Sequence, residues 1–155
     1  TTNGTKAIDI AREKDMVVIG SLNNLQALCN WIVEQDQNVL ILASGWKEKF
    51  NLEATICAGG IADNLMGRGH FKADEDSTIA AKFVYRSARD NMFAFLRASS
   101  HRRRLRRLHL NEDVKYCLTP NNLSTIPILR DGYLIRLDGN DTPSSFQEST
   151  STANA

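Results

Sequence analysis

The chain has 155 residues, of which 42% are hydrophobic and 24% are charged. This is enough for one globular domain with a sizeable core. The formal net charge of +1 excludes a strong global field for nucleic acid or a membrane surface, and no apolar run reaches membrane-spanning length. The three cysteines lie far apart and in no metal-binding spacing. We therefore expect a protein of the reducing cytoplasm without a disulfide framework.

At the start of the chain, small hydroxyl and amide side chains surround a glycine in Thr1-Thr2-Asn3-Gly4-Thr5. A helical apolar pattern follows from Ala7. The Asn-Gly pair indicates a turn, and such a turn leaves the first N–H groups of the next helix facing an anion. A turn with a threonine cap is the simpler interpretation. Because no strand precedes this predicted loop, we interpret the chain as the C-terminal part of a longer protein.

Two short apolar runs predict buried, parallel strands at residues 16–20 and 39–43. Between them, Ser21 precedes a helical pattern in which Asn24 lies in the first turn. Strand, helix and strand in this order imply a right-handed parallel crossover. We therefore predict an α/β fold with a largely parallel or mixed sheet flanked by helices. The loops at Thr1–Thr5 and Ser21–Asn24 would then share one edge of the sheet, where such folds bind ligands.

The later elements are predicted from periodicity and turn residues: helices over residues 51–66, 76–98 and 111–118, an extended segment over 125–129 and a returning strand over 133–137. Gly59-Gly60 weakens the first of these helices by about 1 kcal/mol per glycine, which indicates close backbone packing or a ligand. Pro127 should keep the extended segment at an edge or at a strand start. Residues 138–155 are rich in Ser, Thr and Asn and predict a disordered tail after a domain of residues 1–137.

Four kinds of side chain could carry chemistry. Glu53 is either a surface carboxylate favoured by the helix dipole or a magnesium ligand that also orients water. Cys57 is either a nucleophile or, more commonly for a single cysteine, a buried apolar residue. His101 is either a surface histidine or a phosphate donor and general acid. Of the five arginines between residues 102 and 107, some must be solvated, while one or two could clamp phosphate or sulfonate.

The ordered set of motifs resembles the magnesium-dependent 2-phosphosulfolactate phosphatases, which are associated with coenzyme M biosynthesis. The resemblance covers residues 1–132. The motifs that carry it are Thr1-Thr2-Asn3-Gly4-Thr5, Gly20-Ser21 with Asn24, Glu53 with Cys57-Ala58-Gly59, Ser100-His101, Glu112-Asp113 with Cys117, Ile126-Pro127-Ile128-Leu129 and Asp131-Gly132.

The resemblance implies Mg²⁺ as cofactor and hydrolysis of 2-phospho-3-sulfolactate to 3-sulfolactate and phosphate. Glu53 and His101 would be catalytic, and Glu53 and Asp113 would hold the metal. Arg102 or Arg104 would neutralise a second acidic group. The phosphate would contact the following residues: Thr1, Thr2, Asn3, Gly4, Thr5, Ser21, Asn24 and Ser100. The partner would be a small anionic substrate, with no nucleic acid and no membrane, and homo-oligomerisation is left open.

The chain departs from the family pattern at two places. Ala54 stands where an acidic residue is expected after Glu53, and Asn121-Asn122 stand where an acidic residue often follows the helix that contains Cys117. It also lacks a substantial N-terminal portion with an Asp- and Arg-containing motif. A rival interpretation is therefore a non-catalytic anion- or nucleotide-binding module that has lost its metal. An RNA-binding helix around Arg102–Arg107 is a third, weaker interpretation, because no aromatic residue interleaves the arginines.

Overall fold

The computed structural model describes residues 2–47, 49–69 and 71–137. Seven α-helices lie in this part of the chain, with one 3₁₀ helix, Leu96–Ala98. The helices are α1 (Thr2–Ala11), α2 (Leu25–Gln35), α3 (Leu52–Gly67), α4 (Asp76–Ala88), α5 (Met92–Phe95), α6 (Ser100–Arg107) and α7 (Asn111–Cys117). Two strands follow, β1 (Pro127–Arg130) and β2 (Tyr133–Arg136). No helix in these ranges combines the length and the apolar character needed to span a membrane.

The core lies around α3, whose two sides contact different neighbours. On one side, α3 packs with α2 in a cluster of buried apolar side chains: Leu25, Leu28, Cys29, Ile32, Ile61, Leu65 and Ile126. On the other side, Ile56 packs in a second cluster with Leu22, Ala88, Met92 and Leu96. Cys57 is partly buried against both clusters. The helix therefore joins the two halves of the core.

The two adjacent glycines of α3 permit its close approach to α4. A Cβ atom at Gly59 would overlap the carbonyl oxygen of Ala81, and one at Gly60 would lie 3.0 Å from the Tyr85 ring. This confirms close backbone packing as the reason for the glycine pair. The packing of α3 on α4 therefore depends on glycine having no side chain at these two positions.

The structure combines helices with a small sheet, which agrees with the α/β prediction, but the predicted parallel strands are not found among the residues that the structure describes. Their one sheet has two strands, β1 and β2, which pair antiparallel. The run at residues 16–20 is extended, but it also approaches β1 antiparallel, through a bridge between Val18 and Ile128. The predicted hairpin is confirmed: Pro127 begins β1, and the chain turns at Asp131-Gly132.

The second predicted strand, residues 39–43, does not form in the described part of the chain. Leu40 is 86% exposed and Leu42 is 47% exposed. An extended apolar run becomes a strand only where a neighbour pairs with its backbone groups, and here none of the described residues does so. The prediction of a parallel crossover depends on this strand, so it is also wrong for the described residues.

Two further predicted boundaries are wrong. Residues 2–5 do not form the predicted loop but belong to the start of α1. None of the described residues of this helix is buried. The long helix over residues 76–98 is broken after Ala88, and Asn91 starts α5 by accepting a hydrogen bond from the Ala94 N–H at 2.9 Å. Asparagine favours such caps because its side chain competes for backbone donors. The predicted tail, residues 138–155, lies outside the described residues.

Candidate functional site

Glu53 lies in the first turn of α3, where its carboxylate is held by a residue distant in sequence. Asn51 caps this helix, and its Oδ1 accepts a hydrogen bond from the Ala54 N–H at 2.8 Å. Ser99 Oγ donates a hydrogen bond of 2.6 Å to Glu53 Oε1. Glu53 Oε2 is buried and has no hydrogen-bond partner among the described residues. One carboxylate oxygen is therefore fixed while the other is left unsatisfied.

Ser99 also begins α6, so it joins Glu53 to the N-terminus of that helix. Its Oγ accepts a hydrogen bond from the Arg102 N–H at 3.0 Å, as an N-cap does. His101 lies in the same turn, and its Nδ1 is buried without a partner in the described ranges. The structure thus brings the α6 N-terminus, which favours negative charge, next to the Glu53 carboxylate.

Arg102 is an unusual cation because it is only 7% exposed. Its Nη1 donates a hydrogen bond of 2.7 Å to Asn111 Oδ1, and its guanidinium lies 4.2 Å from the centroid of the Phe93 ring. Its Nε is buried and has no partner within the described part of the chain. A buried charge is costly unless it is paired, so the Asn111 and Phe93 contacts offset only part of that cost.

A cavity of about 230 Å³ lies beside Arg102, between the 3₁₀ helix, α6 and α7. Its lining is strongly basic and contains no acid: Phe93, Arg97, Arg102, Arg103, Arg106 and Asn111. Arg103 is fixed there by a hydrogen bond of 2.6 Å from its Nη1 to the Ala98 carbonyl oxygen. Neither Glu53 nor His101 is among the lining residues.

Arg104 lies apart from this cavity. Its guanidinium is 5.2 Å from the centroid of the Trp46 ring, in the loop before α3. The backbone N–H of Lys47 in the same loop donates to Asn3 Oδ1 at 3.2 Å. The structure therefore brings Asn3 of α1 and Arg104 of α6 to the same loop.

Ser21 and Asn24 form a compact turn before α2. Asn24 Oδ1 accepts hydrogen bonds from Ser21 N–H at 2.8 Å and from Ser21 Oγ at 3.0 Å. The Asn24 amide donates to the carbonyl oxygens of Ile19 and Thr125, which lie beside β1. Both amide hydrogens are thus committed to the fold. In this state Asn24 has little hydrogen-bonding capacity left for a ligand.

The other candidates lie at the surface or outside the described residues. Thr2, Gly4 and Thr5 belong to α1, and Thr1 is not described. Ser100 is exposed in the first turn of α6, and Asp113 is exposed in the first turn of α7. The described ranges hold no group of three or more His, Cys, Asp or Glu side chains placed to bind a metal ion.

Cys57 lies one helical turn after Glu53 but has the environment of a core residue. Burial raises the pKa of its thiol to about 11. A thiol reacts as the thiolate, so this shift makes Cys57 a poor nucleophile near neutral pH. The environment agrees with the alternative of a buried apolar residue.

Sequence reasoning missed several residues that the structure places at these sites. Ser100 is the serine predicted to contact the phosphate, but the structure uses its neighbour Ser99 as the N-cap of α6. The signal for Ser99 is that an N-cap serine accepts a hydrogen bond from the N–H two or three residues later, here that of Arg102. Asn111 and Phe93 carry no motif, because they reach Arg102 from separate helices. Arg97, Arg103 and Arg106 could not be distinguished from solvated arginines by spacing alone.

Comparisons with a family model and with curated relatives point to the same family. A family model described as "2-phosphosulpholactate phosphatase" matches residues 1–132. Relatives named "Probable 2-phosphosulfolactate phosphatase" include one from Microcystis aeruginosa, 37% identical over 133 residues, and one from Gloeothece citriformis, 37% identical over 141 residues. Another, from Caldanaerobacter subterraneus, is 31% identical over 132 residues.

The matched segment covers most of this chain but a smaller share of each relative. For the relatives from Microcystis, Gloeothece and Caldanaerobacter, it covers 84%, 88% and 85% of this chain. In the same order, it covers 55%, 58% and 54% of the length of the relative. The chain therefore spans about half the length of the curated relatives that it matches.

Proposed function

The chain belongs to the 2-phosphosulpholactate phosphatase family, and from this we propose that its protein hydrolyses the phosphate monoester of a small phosphorylated acid. The substrate within this proposal is 2-phospho-3-sulfolactate, and the products are 3-sulfolactate and phosphate. A cytoplasmic location belongs to the same proposal, since the three cysteines are free thiols in the structure.

The observation that supports a catalytic role best is the Glu53–Ser99 contact. It fixes one carboxylate oxygen by a 2.6 Å hydrogen bond and leaves Oε2 buried without a partner among the described residues. An unsatisfied buried acceptor is costly, and active sites are a common reason for one to persist. Because Ser99 is also the N-cap of α6, an anion bound there would meet the helix N-terminus and His101.

Each residue then has a role that its position permits. The α6 N-terminus would orient the phosphate, and His101 would donate a proton to the leaving oxygen through a ring nitrogen. Arg102 would supply positive charge close by, held by Asn111. Glu53 would hold or orient the attacking water. Phosphoryl transfer depends mainly on such positioning and charge stabilisation.

Magnesium is part of the proposal through Glu53. Mg²⁺ is commonly bound by one or two carboxylates together with waters and substrate phosphates, and the buried unpartnered Oε2 fits one such position. When bound, the ion would neutralise charge on the phosphoryl oxygens. Asp113, the second predicted ligand, is exposed on α7 and would have to reach this position from there.

The test is Glu53→Gln, which keeps the shape of the side chain and removes its charge. We expect phosphate release from 2-phospho-3-sulfolactate to fall by about 10²-fold or more, the usual scale for losing one positioned catalytic group. The magnesium titration should shift to higher concentrations. Asp76→Asn, in the exposed first turn of α4, is the matched control and should behave as the parent. Unchanged release and an unchanged titration in Glu53→Gln would reject the role.

The rival function is a non-catalytic anion-binding module. Ala54 favours it, since its side chain adds no carboxylate beside Glu53 and its N–H is used by the Asn51 cap. In that case a phosphate monoester would bind without phosphate release at any magnesium concentration. The same assay, combined with a binding measurement, separates the two functions.

A further inference from the structure

We propose that the cavity lined by Arg97, Arg102, Arg103, Arg106 and Asn111, called here the arginine cavity, binds a tetrahedral oxyanion such as phosphate or sulfonate. Glu53, Ser99 and His101 do not line it, although it shares Arg102 with the carboxylate site described above. The inference does not rest on the proposed hydrolysis, because it concerns binding alone.

The first argument is uncompensated charge. Four guanidinium groups border one cavity of about 230 Å³. None of them forms an ion pair with a carboxylate among the residues the structure describes, where the nearby Glu112 is instead paired with Lys115 at 2.7 Å. Like charges that line one cavity repel each other, and an anion that sits between them reduces the repulsion. An oxyanion is therefore the occupant that the charges favour.

The second argument is that two of the arginines are already oriented. Arg102 is only 7% exposed and is held by Asn111 and the Phe93 face, and its Nε has no hydrogen-bond partner in the described part of the chain. Arg103 is held by the Ala98 carbonyl oxygen. Guanidinium groups fixed in this way lose little side-chain entropy when they bind an oxyanion with two parallel hydrogen bonds. This distinguishes the cavity from a solvated basic surface.

The third argument concerns the size and chemistry of the occupant. Apart from Phe93 and Asn111, the lining residues are all arginines, and none is an acid. Such a lining suits a compact group with several acceptor oxygens and no donors. Two sources share that chemistry: free inorganic phosphate, and the phosphate or sulfonate group of a small organic molecule.

The test measures binding of inorganic phosphate to the whole chain by titration calorimetry at constant ionic strength. Arg97→Gln and Arg106→Gln are the chosen variants, because both side chains line the cavity and both residues are exposed, so their removal should leave the fold intact. We expect each to weaken phosphate binding by about tenfold, the change for losing one charge-assisted hydrogen bond. Arg107→Gln, on the same helix and outside the cavity, is the matched control and should stay within about twofold of the parent.

Two further arms separate the alternatives. Titration with methanesulfonate and with phenyl phosphate shows whether the organic or the inorganic source binds more tightly. Glu53→Gln should retain phosphate binding, so that failure of the proposed hydrolysis and failure of this site give different results. Absence of binding by all three anions would overturn the proposal. Equal weakening in Arg107→Gln would also overturn it, because the effect would then be one of general charge.

Discussion

At the scale of single residues, the three cysteines have three different environments. Cys29 is fully buried, Cys57 is partly buried between the two core clusters, and Cys117 is exposed. Burial raises the pKa of Cys29 and of Cys57 to about 11 each. The ordinary value lies near 8.5, so far less thiolate forms in these two residues at mildly alkaline pH.

This difference predicts the order of alkylation. With iodoacetamide at pH 8, Cys117 should be modified first, and Cys29 and Cys57 should react at least 10²-fold more slowly, because their thiolate is scarce and access is restricted. Peptide mass spectrometry over time measures the three rates, and labelling in denaturant, where all three should react alike, is the control. Rapid modification of Cys57 in the folded chain would instead support its role as a nucleophile.

At the scale of elements, the close contact of α3 with α4 is the most exacting feature of the fold. Gly59→Ala would place a methyl group against the backbone carbonyl of Ala81, which no side-chain rotation can relieve. The substitution gains about 1 kcal/mol in helix propensity. Overpacking typically costs 1–3 kcal/mol, and more where backbone must move. The steric cost should therefore exceed the gain.

We accordingly expect Gly59→Ala to lower the free energy of unfolding by about 1–3 kcal/mol in urea titrations. Gly67→Ala is the matched control in the same helix, because a Cβ atom there would meet nothing within 4 Å. It should be neutral or stabilising by up to about 1 kcal/mol. A Gly59→Ala variant as stable as the parent would mean that α3 and α4 separate at little cost.

The same elements show how far sequence reasoning reached. The helix over residues 51–66 and the hairpin around Asp131-Gly132 were predictable, since both depend on local periodicity and turn residues. The strand over residues 39–43 was not, because a strand needs a partner that its own sequence does not reveal. The start of α1 was misjudged because Gly4 suggests a turn, although a helix tolerates one glycine at a cost of about 1 kcal/mol.

The candidate site was predictable in type but not in arrangement. Glu53 and His101 were identified from their positions after loops. The contact between Glu53 and Ser99, which lies two residues before His101, spans 46 residues of sequence and follows only from the fold. Arg102 and Arg104 looked equivalent in the sequence, yet one is 7% exposed beside a cavity and the other contacts Trp46. Tertiary packing decides which of several like charges is buried.

At the scale of the whole molecule, Asn side chains from both halves of the chain join the N-terminal half to the C-terminal half. Asn121 adopts a positive φ of 61°, and its Oδ1 accepts a hydrogen bond of 2.8 Å from the Gln26 N–H in the first turn of α2. Asn23 donates to the carbonyl oxygens of Tyr116 and Thr119. Asn121, which departs from the family pattern, therefore has a structural role as a helix cap.

The molecule also exposes an apolar segment at residues 39–42, where Leu40 is 86% exposed and Leu42 is 47% exposed. Exposed apolar runs with unpaired backbone groups promote association. We expect the chain to self-associate at concentrations on the order of 100 μM, a range in which weak apolar contacts become populated. The double variant Leu40→Lys with Leu42→Lys should be monomeric, since two added charges oppose a shared apolar contact.

Light scattering coupled to size-exclusion chromatography measures the mass directly. Ile10→Lys, which places a lysine at the 62% exposed side chain of α1, is the matched control and should associate as the parent does. Circular dichroism should be the same for all three chains, because residues 39–42 belong to no helix or strand and Ile10→Lys changes only an exposed side chain of α1. A parent chain that stays monomeric up to the highest soluble concentration would show that this surface does not bind a second copy. Association that persists in the double lysine variant would place the contact elsewhere, with the exposed side chains of β2 as the next candidates.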